Sequence, residues 1–178
     1  MKIFLGGTCN GSKWRDTFIK LLDSDINYFN PIVDEWNESA QQNEELQKTL
    51  YCDYNLYVIT KEMYGVFTIA EVIDDSNKRS YSTVLCIIES DFIDEDGKED
   101  PRFKSLKAVK RLAIYNGVSY FDNLEDTAKY FNTEAKQQLE ETTITPFTYS
   151  IDPAKISEHT ANTIKIMNNL GLLQIDGN

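Results

Sequence analysis

Apolar and polar positions along the first 131 residues predict strands and helices in strict alternation. Short runs rich in β-branched and aromatic residues indicate five strands, at Lys2–Leu5, Ile26–Phe29, Leu56–Thr60, Thr83–Ile88 and Val118–Phe121. The segments that follow carry apolar residues at helical spacing, and the expected helices begin near Trp14, Ser39, Val66, Pro101 and Leu124. The pattern is therefore five successive strand–helix units.

Individual positions in the first two helices have expected roles. Ser12 is the expected N-cap of the first helix, because its hydroxyl can accept a hydrogen bond from a free backbone N–H. The second helix is mostly polar and runs from about Ser39 to Tyr51. Its two leucines, Leu46 and Leu50, are four residues apart and are expected to face inward.

Repeated strand–helix units favour right-handed crossovers and a parallel sheet. The predicted fold is an α/β three-layer sandwich with a five-stranded parallel sheet, flavodoxin-like or Rossmann-like. Residues 1–141 form the predicted α/β domain, and residues 142–178 are a connector and an extra C-terminal helix, too short for a separate domain. Asp152-Pro153 is a start signal for that helix and Gly171 a stop signal. Its apolar face either covers the sandwich or contacts a second subunit.

Composition and charge narrow the classes of partner. A hydrophobic content of 41% with 12% aromatic residues suits a folded domain. The formal charge of −11 argues against a nucleic-acid polymer, because phosphate binding needs clustered Lys and Arg. No apolar run reaches membrane-spanning length. Three cysteines without metal-type spacing, together with a single histidine, favour a reduced, cytoplasmic setting and argue against a metal site.

A glutamate after the third strand is the strongest candidate for chemistry. In parallel α/β sheets, ligands lie in the crevice beyond the carboxyl ends of the strands. Val66, Ala70 and Ile73 give the following helix its apolar spacing, and Glu71 lies among them in what we expect to be the first turn. The carboxylate is therefore either a helix N-terminal charge or a reagent in the crevice.

The loops after the first two strands reach the same edge of the sheet. Gly6-Gly7-Thr8 allows a close backbone approach to a ligand, or simply a tight turn between strand and helix. After the second strand, Trp36 either stacks on a flat base or covers the helix below it. Asn30 and Asp34 are candidates for hydrogen bonds to such a base.

Four segments together carry a family resemblance: KIFLGGT, FNPIVDEW, CDYNLYVIT and GVFTIAEVIDDS. In this order they resemble the nucleoside 2-deoxyribosyltransferase-like family over roughly residues 1–131. The resemblance implies that Glu71 is the nucleophile, and that the glycine loop and the aromatic after the second strand help to form a nucleoside pocket. Gly65 stands where better-known transferases carry an aspartate that contacts the base.

The implied reaction is cleavage or exchange of an N-glycosidic bond of a deoxynucleoside or nucleotide. Glu71 would attack the anomeric carbon and form a covalent glycosyl-enzyme. Tyr64 and Asp34 are the candidates for the group that protonates the leaving base. No metal or organic cofactor is required, and the resemblance implies a homo-oligomer.

Two other classes of function stay open on the sequence alone. The first is a protein that binds a nucleotide-like ligand without turnover, as a sensor or a sequestering protein; Gly65 favours it. The second is a structural subunit whose tail helix mediates assembly. Base release from a deoxynucleoside is the observation that separates an enzyme from both.

Overall fold

The computed structural model of the chain describes residues 1–9, 11–35 and 37–143. The predicted C-terminal helix and Trp36 lie outside the described residues. Residues 1–139 form one compact unit. A second unit comprises residues 140–178, of which residues 140–143 are described.

Five strands form a single parallel sheet, as the alternating pattern predicts. They are β1 (Lys2–Gly7), β2 (Asn27–Phe29), β3 (Tyr54–Ile59), β4 (Thr83–Ile87) and β5 (Ser119–Phe121). Their order across the sheet is β2-β1-β3-β4-β5, and every neighbouring pair is parallel. This is the order of flavodoxin-like folds. The predicted α/β three-layer fold is confirmed.

Helices connect the strands. They are α1 (Trp14–Leu21), α2 (Glu38–Leu46), α3 (Phe67–Lys78), α4 (Pro101–Tyr115), α5 (Leu124–Tyr130) and α6 (Lys136–Thr143). A π-helical turn at Gln47–Tyr51 continues α2, and a second at Phe131–Ala135 joins α5 to α6. Short 3₁₀ turns occur at Ser80–Ser82 and Glu89–Phe92. None of the helices described here is long and apolar enough to cross a membrane.

Alternation of side chains along the strands creates two cores, one on each face of the sheet. On one face, strand residues such as Leu5 and Val58 pack with Phe18 of α1 and Ala128 of α5. On the other face, a different set of strand residues packs with helix residues of α3 and α4; its members include Phe4, Tyr57, Leu85, Val72 and Leu106. Strands β3 and β4 are buried along their whole length, as expected for central strands covered on both faces.

The expected N-cap and the expected inner face of the second helix are both wrong. Lys13 precedes α1 without a capping hydrogen bond, and the Ser12 hydroxyl instead lies 3.2 Å from the Thr60 hydroxyl. Leu46 and Leu50 are 46% and 69% exposed. The residue that turns inward from this segment is Lys48, which is held by an ion pair described below.

The third helix also differs from the expectation. It begins at Phe67, so Glu71 lies in its second turn rather than its first. Val66 and Ala70 are exposed, whereas Val72 is fully buried. The apolar spacing identified the helix and placed Ile73 correctly against the core, but Val66 precedes the helix and Ala70 is exposed.

Candidate active site

A cavity of about 400 Å³ lies at the carboxyl edge of the sheet. It lies where β1 and β3 are neighbours in the sheet although β2 separates them in sequence. This is the topological switch point, the place where open α/β sheets bind ligands. Its volume is within the range of small-molecule pockets. It is lined by Gly6, Gly7, Thr8, Cys9, Arg15, Pro31, Ile32, Val33, Glu44, Met63, Gly65, Phe67, Thr68 and Glu71.

Glycine is required at the end of β1 for steric reasons. The structure extends β1 through Gly6 and Gly7, where the sequence suggested a loop. A Cβ on Gly6 would lie 2.8 Å from the Phe4 ring. A Cβ on Gly7 would lie 2.1 Å from the Val58 carbonyl oxygen, and the φ of Gly7 is +121°. At Gly7 the backbone approaches β3 too closely for any side chain, and at Gly6 the rings of Phe4 and Tyr57 occupy the space that a side chain would need.

The loop after β1 is held in place by buried hydrogen bonds. The Arg15 guanidinium donates to the carbonyl oxygens of Leu5 at 3.0 Å and Thr8 at 2.8 Å, and the Trp14 indole N–H donates to the same Thr8 oxygen at 2.8 Å. The Thr8 hydroxyl accepts from the Thr60 N–H at 3.0 Å, tying the loop to the end of β3. Arg15 is thus committed to backbone carbonyls, and it shapes the cavity wall.

The Glu71 carboxylate lies in the cavity wall and is paired with Lys48. Lys48 Nζ donates to Glu71 Oε1 at 3.1 Å, and both side chains are only 10% exposed. The second oxygen, Oε2, has no hydrogen-bond partner among the described residues. Burial raises the pKa of Glu71, and the Lys48 ammonium acts against that rise. The site therefore holds a buried carboxylate with one oxygen fixed and one available.

A second carboxyl group, Glu44 of α2, lines the same cavity. Burial and the nearby charge of Glu71 raise the pKa of Glu44 to about 6. The cavity therefore holds two carboxyl groups in different settings: Glu71 is paired with a lysine, and Glu44 has a pKa closer to neutrality than that of an ordinary glutamate.

Below Glu71, a buried network anchors α3 to β3. Asp75 accepts hydrogen bonds from the Asn55 amide at 2.9 Å and the Tyr57 hydroxyl at 2.6 Å. It also pairs with the Arg79 guanidinium at 3.2 Å. Burial and the Asp75 charge raise the pKa of Tyr57, so its hydroxyl stays protonated and donates. The turn of α3 that carries Glu71 is fixed against the sheet by these contacts.

The structure brings only some of the predicted site residues together. Five of them line the cavity: Gly6, Gly7, Thr8, Gly65 and Glu71. Asn30, Asp34 and Tyr64 do not line it. The Asn30 amide oxygen instead accepts from the backbone N–H of Ile32, and Tyr64 is 85% exposed.

The sequence reasoning missed three charged residues of the site: Arg15, Glu44 and Lys48. Glu44 and Glu45 precede Lys48 by four and three residues, a spacing that on a polar helix usually indicates exposed ion pairs. No feature of the sequence indicated that this lysine turns inward. Within residues 1–9, 11–35 and 37–143, no group of three or more His, Cys, Asp or Glu side chains is placed to hold a metal ion.

Comparison with known protein families gives one match. The family model described as nucleoside 2-deoxyribosyltransferase like matches residues 1–89, half of the chain. All residues that line the cavity fall within the matched half. No curated protein matches the chain.

Proposed function

Because the chain belongs to the nucleoside 2-deoxyribosyltransferase-like family, we propose that it cleaves or transfers at the N-glycosidic bond of a deoxynucleoside or deoxynucleotide, with Glu71 as nucleophile. The observation that supports this most is the position of Glu71. Its carboxylate is largely buried in the wall of a cavity that spans the switch point of the sheet, and one of its oxygens is without a hydrogen-bond partner in the described part of the chain.

The reaction runs in two displacement steps. Glu71 Oε2 attacks the anomeric carbon from the face opposite the base, a C–O bond forms, and the glycosidic C–N bond breaks with its electron pair passing to the base nitrogen. Water or a second base then attacks the same carbon, passes a proton to the Glu44 carboxylate left by the first step, and releases the Glu71 carboxylate. Two inversions give net retention of configuration.

The leaving base needs a proton, and Glu44 is the donor in this proposal. Tyr64 and Asp34, the donors suggested by sequence, do not line the cavity, whereas Glu44 does. With a pKa of about 6, Glu44 still holds a proton in a useful fraction of molecules near neutral pH. Glu44→Gln is expected to slow base release by about 10²–10⁴-fold, the usual contribution of general acid catalysis.

The roles of the two carboxyl groups set the pH dependence. Activity rises with pH as Glu71 loses its proton, and falls as pH rises through about 6, where free-enzyme Glu44 loses the proton it must donate. An N7-methylated purine deoxynucleoside leaves as a neutral base without protonation. With that substrate, the fall in kcat/KM above pH 6 should disappear and Glu44→Gln should approach wild-type rates.

A substrate panel tests the function. The protein is incubated with deoxynucleosides and deoxynucleotides, with and without a free acceptor base, and released or exchanged base is measured by chromatography. Base release or exchange that is lost in Glu71→Gln supports the proposal. Asp74→Asn is the matched control, because Asp74 is an exposed carboxylate on the same helix, and it should keep full activity. Unimpaired turnover by Glu71→Gln contradicts the proposal.

A binding protein without turnover is the second candidate, and Gly65 favours it. Gly65 lines the cavity and has no side chain, so this position offers no carboxylate to contact a base. The same panel distinguishes the two functions. Saturable binding of a nucleotide with no base release over long incubation indicates a binding protein.

A further inference from the structure

Resting on the proposed function, we propose that Lys48 is the positioning residue of the nucleophile: it holds Glu71 Oε1, keeps the carboxylate ionised in its buried setting, and leaves Oε2 free for attack. Lys48 itself does not line the cavity. It acts on the substrate only through Glu71.

The geometry of Lys48 suits this role. It lies in the π-helical turn Gln47–Tyr51, whose widened backbone is a type of distortion that often occurs at functional sites. Its ammonium lies between two carboxylates, at 3.0 Å from Glu45 Oε2 and 3.1 Å from Glu71 Oε1. Glu45 is 60% exposed, whereas Lys48 and Glu71 are nearly buried. The lysine therefore spans from solvent to the interior.

No other cation in the described residues pairs with Glu71. The Arg79 guanidinium is paired with Asp75 and donates to the Lys48 carbonyl oxygen at 2.9 Å. The Arg15 guanidinium is hydrogen-bonded to backbone carbonyl oxygens. If the Lys48 charge is removed, the Glu71 carboxylate loses its only counter-charge in this part of the chain, and a buried carboxylate without a partner takes up a proton.

The nearby acidic groups act in the opposite direction; they are Glu44 and Glu45 on the α2 side and Asp75 on α3. The Tyr57 hydroxyl of β3 stays neutral, and the two nearby arginines, Arg79 and Arg15, are held by Asp75 and by backbone carbonyl oxygens respectively. Burial and the charges of Asp75 and Glu45 raise the pKa of Glu71. Burial alone would lower the pKa of Lys48, but Glu45 and Glu71 outweigh it, so Lys48 stays charged.

Pairing with two carboxylates fits both states of the reaction. In the free enzyme, Lys48 neutralises Glu71. In the glycosyl-enzyme, Glu71 is an ester without charge, and Lys48 still has Glu45 as its counter-ion. The lysine charge is therefore never left unpaired in a buried position, which would be destabilising.

The test compares Lys48→Met, which keeps most of the length of the side chain and removes its charge, with Lys48→Arg, which keeps the charge. Lys78→Met is the matched control, because Lys78 pairs with Asp74 on the exposed side of α3. The pKa of Glu71 is measured by ¹³C NMR of glutamate labelled at the carboxyl carbon, with its resonance assigned through Glu71→Gln. The second readout is the pH profile of kcat/KM.

We expect Lys48→Met to raise the pKa of Glu71 by at least about one unit and to shift the acid limb of the kcat/KM profile by the same amount. At pH values below the pKa of Glu71, kcat/KM of the variant should be about tenfold lower than that of the wild type for each pH unit of the shift, because the ionised fraction of Glu71 is tenfold lower. Lys48→Arg should restore most of both values, and Lys78→Met should change neither. An unchanged pKa of Glu71 and an unchanged acid limb in Lys48→Met overturn the proposal.

Failure of this inference and failure of the proposed function give different results. Full activity in Glu71→Gln would refute the proposed function. The NMR titration would still report whether Lys48 controls the pKa of Glu71. If Lys48→Met does not fold, the double variant Lys48→Met/Glu71→Gln decides. Recovery of folding supports the proposal, because the damage then came from the unpaired carboxylate. A double variant that is equally unfolded contradicts it.

Discussion

At the residue scale, both the packing of β1 against β3 and the wall of the cavity require that Gly7 has no side chain. Replacing its hydrogen with a methyl group in Gly7→Ala would put Cβ 2.1 Å from the Val58 carbonyl oxygen, at a φ of +121° that side chains avoid. We expect a loss of about 3 kcal/mol or more in the free energy of unfolding, from the combined strain and clash. Urea denaturation measures it.

Gly65→Ala is the matched control for this prediction. Gly65 also lines the cavity, but no atom lies within 4 Å of its missing Cβ and its φ is not positive. Its free energy of unfolding should change by less than about 1 kcal/mol. Equal losses in the two variants would show that the close approach of β1 to β3 is not what selects glycine.

Glu44 makes stability depend on pH. Its pKa is raised from 4.5 to about 6 in the folded protein. Its favourable contribution to the free energy of unfolding is therefore present below pH 4.5 and is lost as pH rises through about 6. In Glu44→Gln the side chain does not titrate, so this loss of stability does not occur. The shift corresponds to about 2 kcal/mol at most, and solvent screening of this half-buried group reduces it to about 1 kcal/mol.

Urea denaturation at pH 4 and pH 7 checks this prediction. Glu44→Gln should be more stable than the wild type at pH 7 and equal to it at pH 4. Glu95→Gln, at an exposed loop position, should have the same small effect at both pH values. A stabilisation by Glu44→Gln that is equal at both pH values would mean that the carboxyl group titrates normally.

Some residues of the cavity could be predicted from the sequence and others could not. Gly6, Gly7, Thr8 and Glu71 were identified because position relative to a strand end places a residue at the crevice. Lys48 was not, because its role comes from an ion pair across 23 residues of sequence. Pairing between distant side chains leaves no periodic pattern in a single sequence.

At the element scale, α3 is held to the sheet by Asp75 as well as by apolar packing. Asp75 is nearly fully buried and accepts from Asn55 and Tyr57 while pairing with Arg79. Asp75→Ala leaves the partly buried Arg79 guanidinium without its counter-charge and the buried Asn55 and Tyr57 donors without an acceptor, so we expect a loss of about 3 kcal/mol or more in the free energy of unfolding. Thermal and urea unfolding measure it.

Asp74→Ala is the neighbouring control. Asp74 is exposed and paired only with Lys78 one turn along the helix, so its loss should cost less than about 0.5 kcal/mol. If Asp75→Ala is equally mild, the buried network does not anchor α3, and the position of Glu71 must be set by apolar contacts.

The orientation of α2 and its π-helical turn shows why helix faces were harder to predict than helices. Leu46 and Leu50 are four residues apart and correctly share one face, but that face is exposed. In a helix this polar, two leucines are a weak signal. The ion pair of Lys48 with Glu71 turns the opposite side of the segment toward the sheet.

At the scale of the whole molecule, the sheet was the most predictable feature. Continuous apolar runs in β3 and β4 identified central strands, and alternation of strands with helices predicted parallel pairing, both of which the structure confirms. The crevice follows from this topology, because the strand order places the ends of β1 and β3 side by side. Side-chain pairing inside the crevice does not follow from topology.

The tail beyond the described residues carries a prediction from sequence alone. Asp152-Pro153 and Gly171 delimit an expected helix whose apolar face needs cover, and we expect this segment to lie at a homo-oligomer interface. A chain ending at Glu141 keeps both apolar cores of the described fold. Light scattering should give a smaller assembly for this truncated chain than for the full chain; equal assembly sizes would show that the tail does not mediate assembly.

The central claim is that Glu71 forms a covalent bond to the sugar. A nucleoside of 2-deoxy-2-fluoroarabinose with a readily leaving base tests it directly, because the fluorine destabilises the oxocarbenium-like transition states of both steps, while the good leaving group keeps the first step faster than the second and lets the ester accumulate. After quenching in acid, the intact protein should gain the mass of one fluorinated glycosyl group. Peptide mapping should place it on Glu71, and Glu71→Gln should gain none. Release of the base with no glycosyl group on Glu71 would contradict the account.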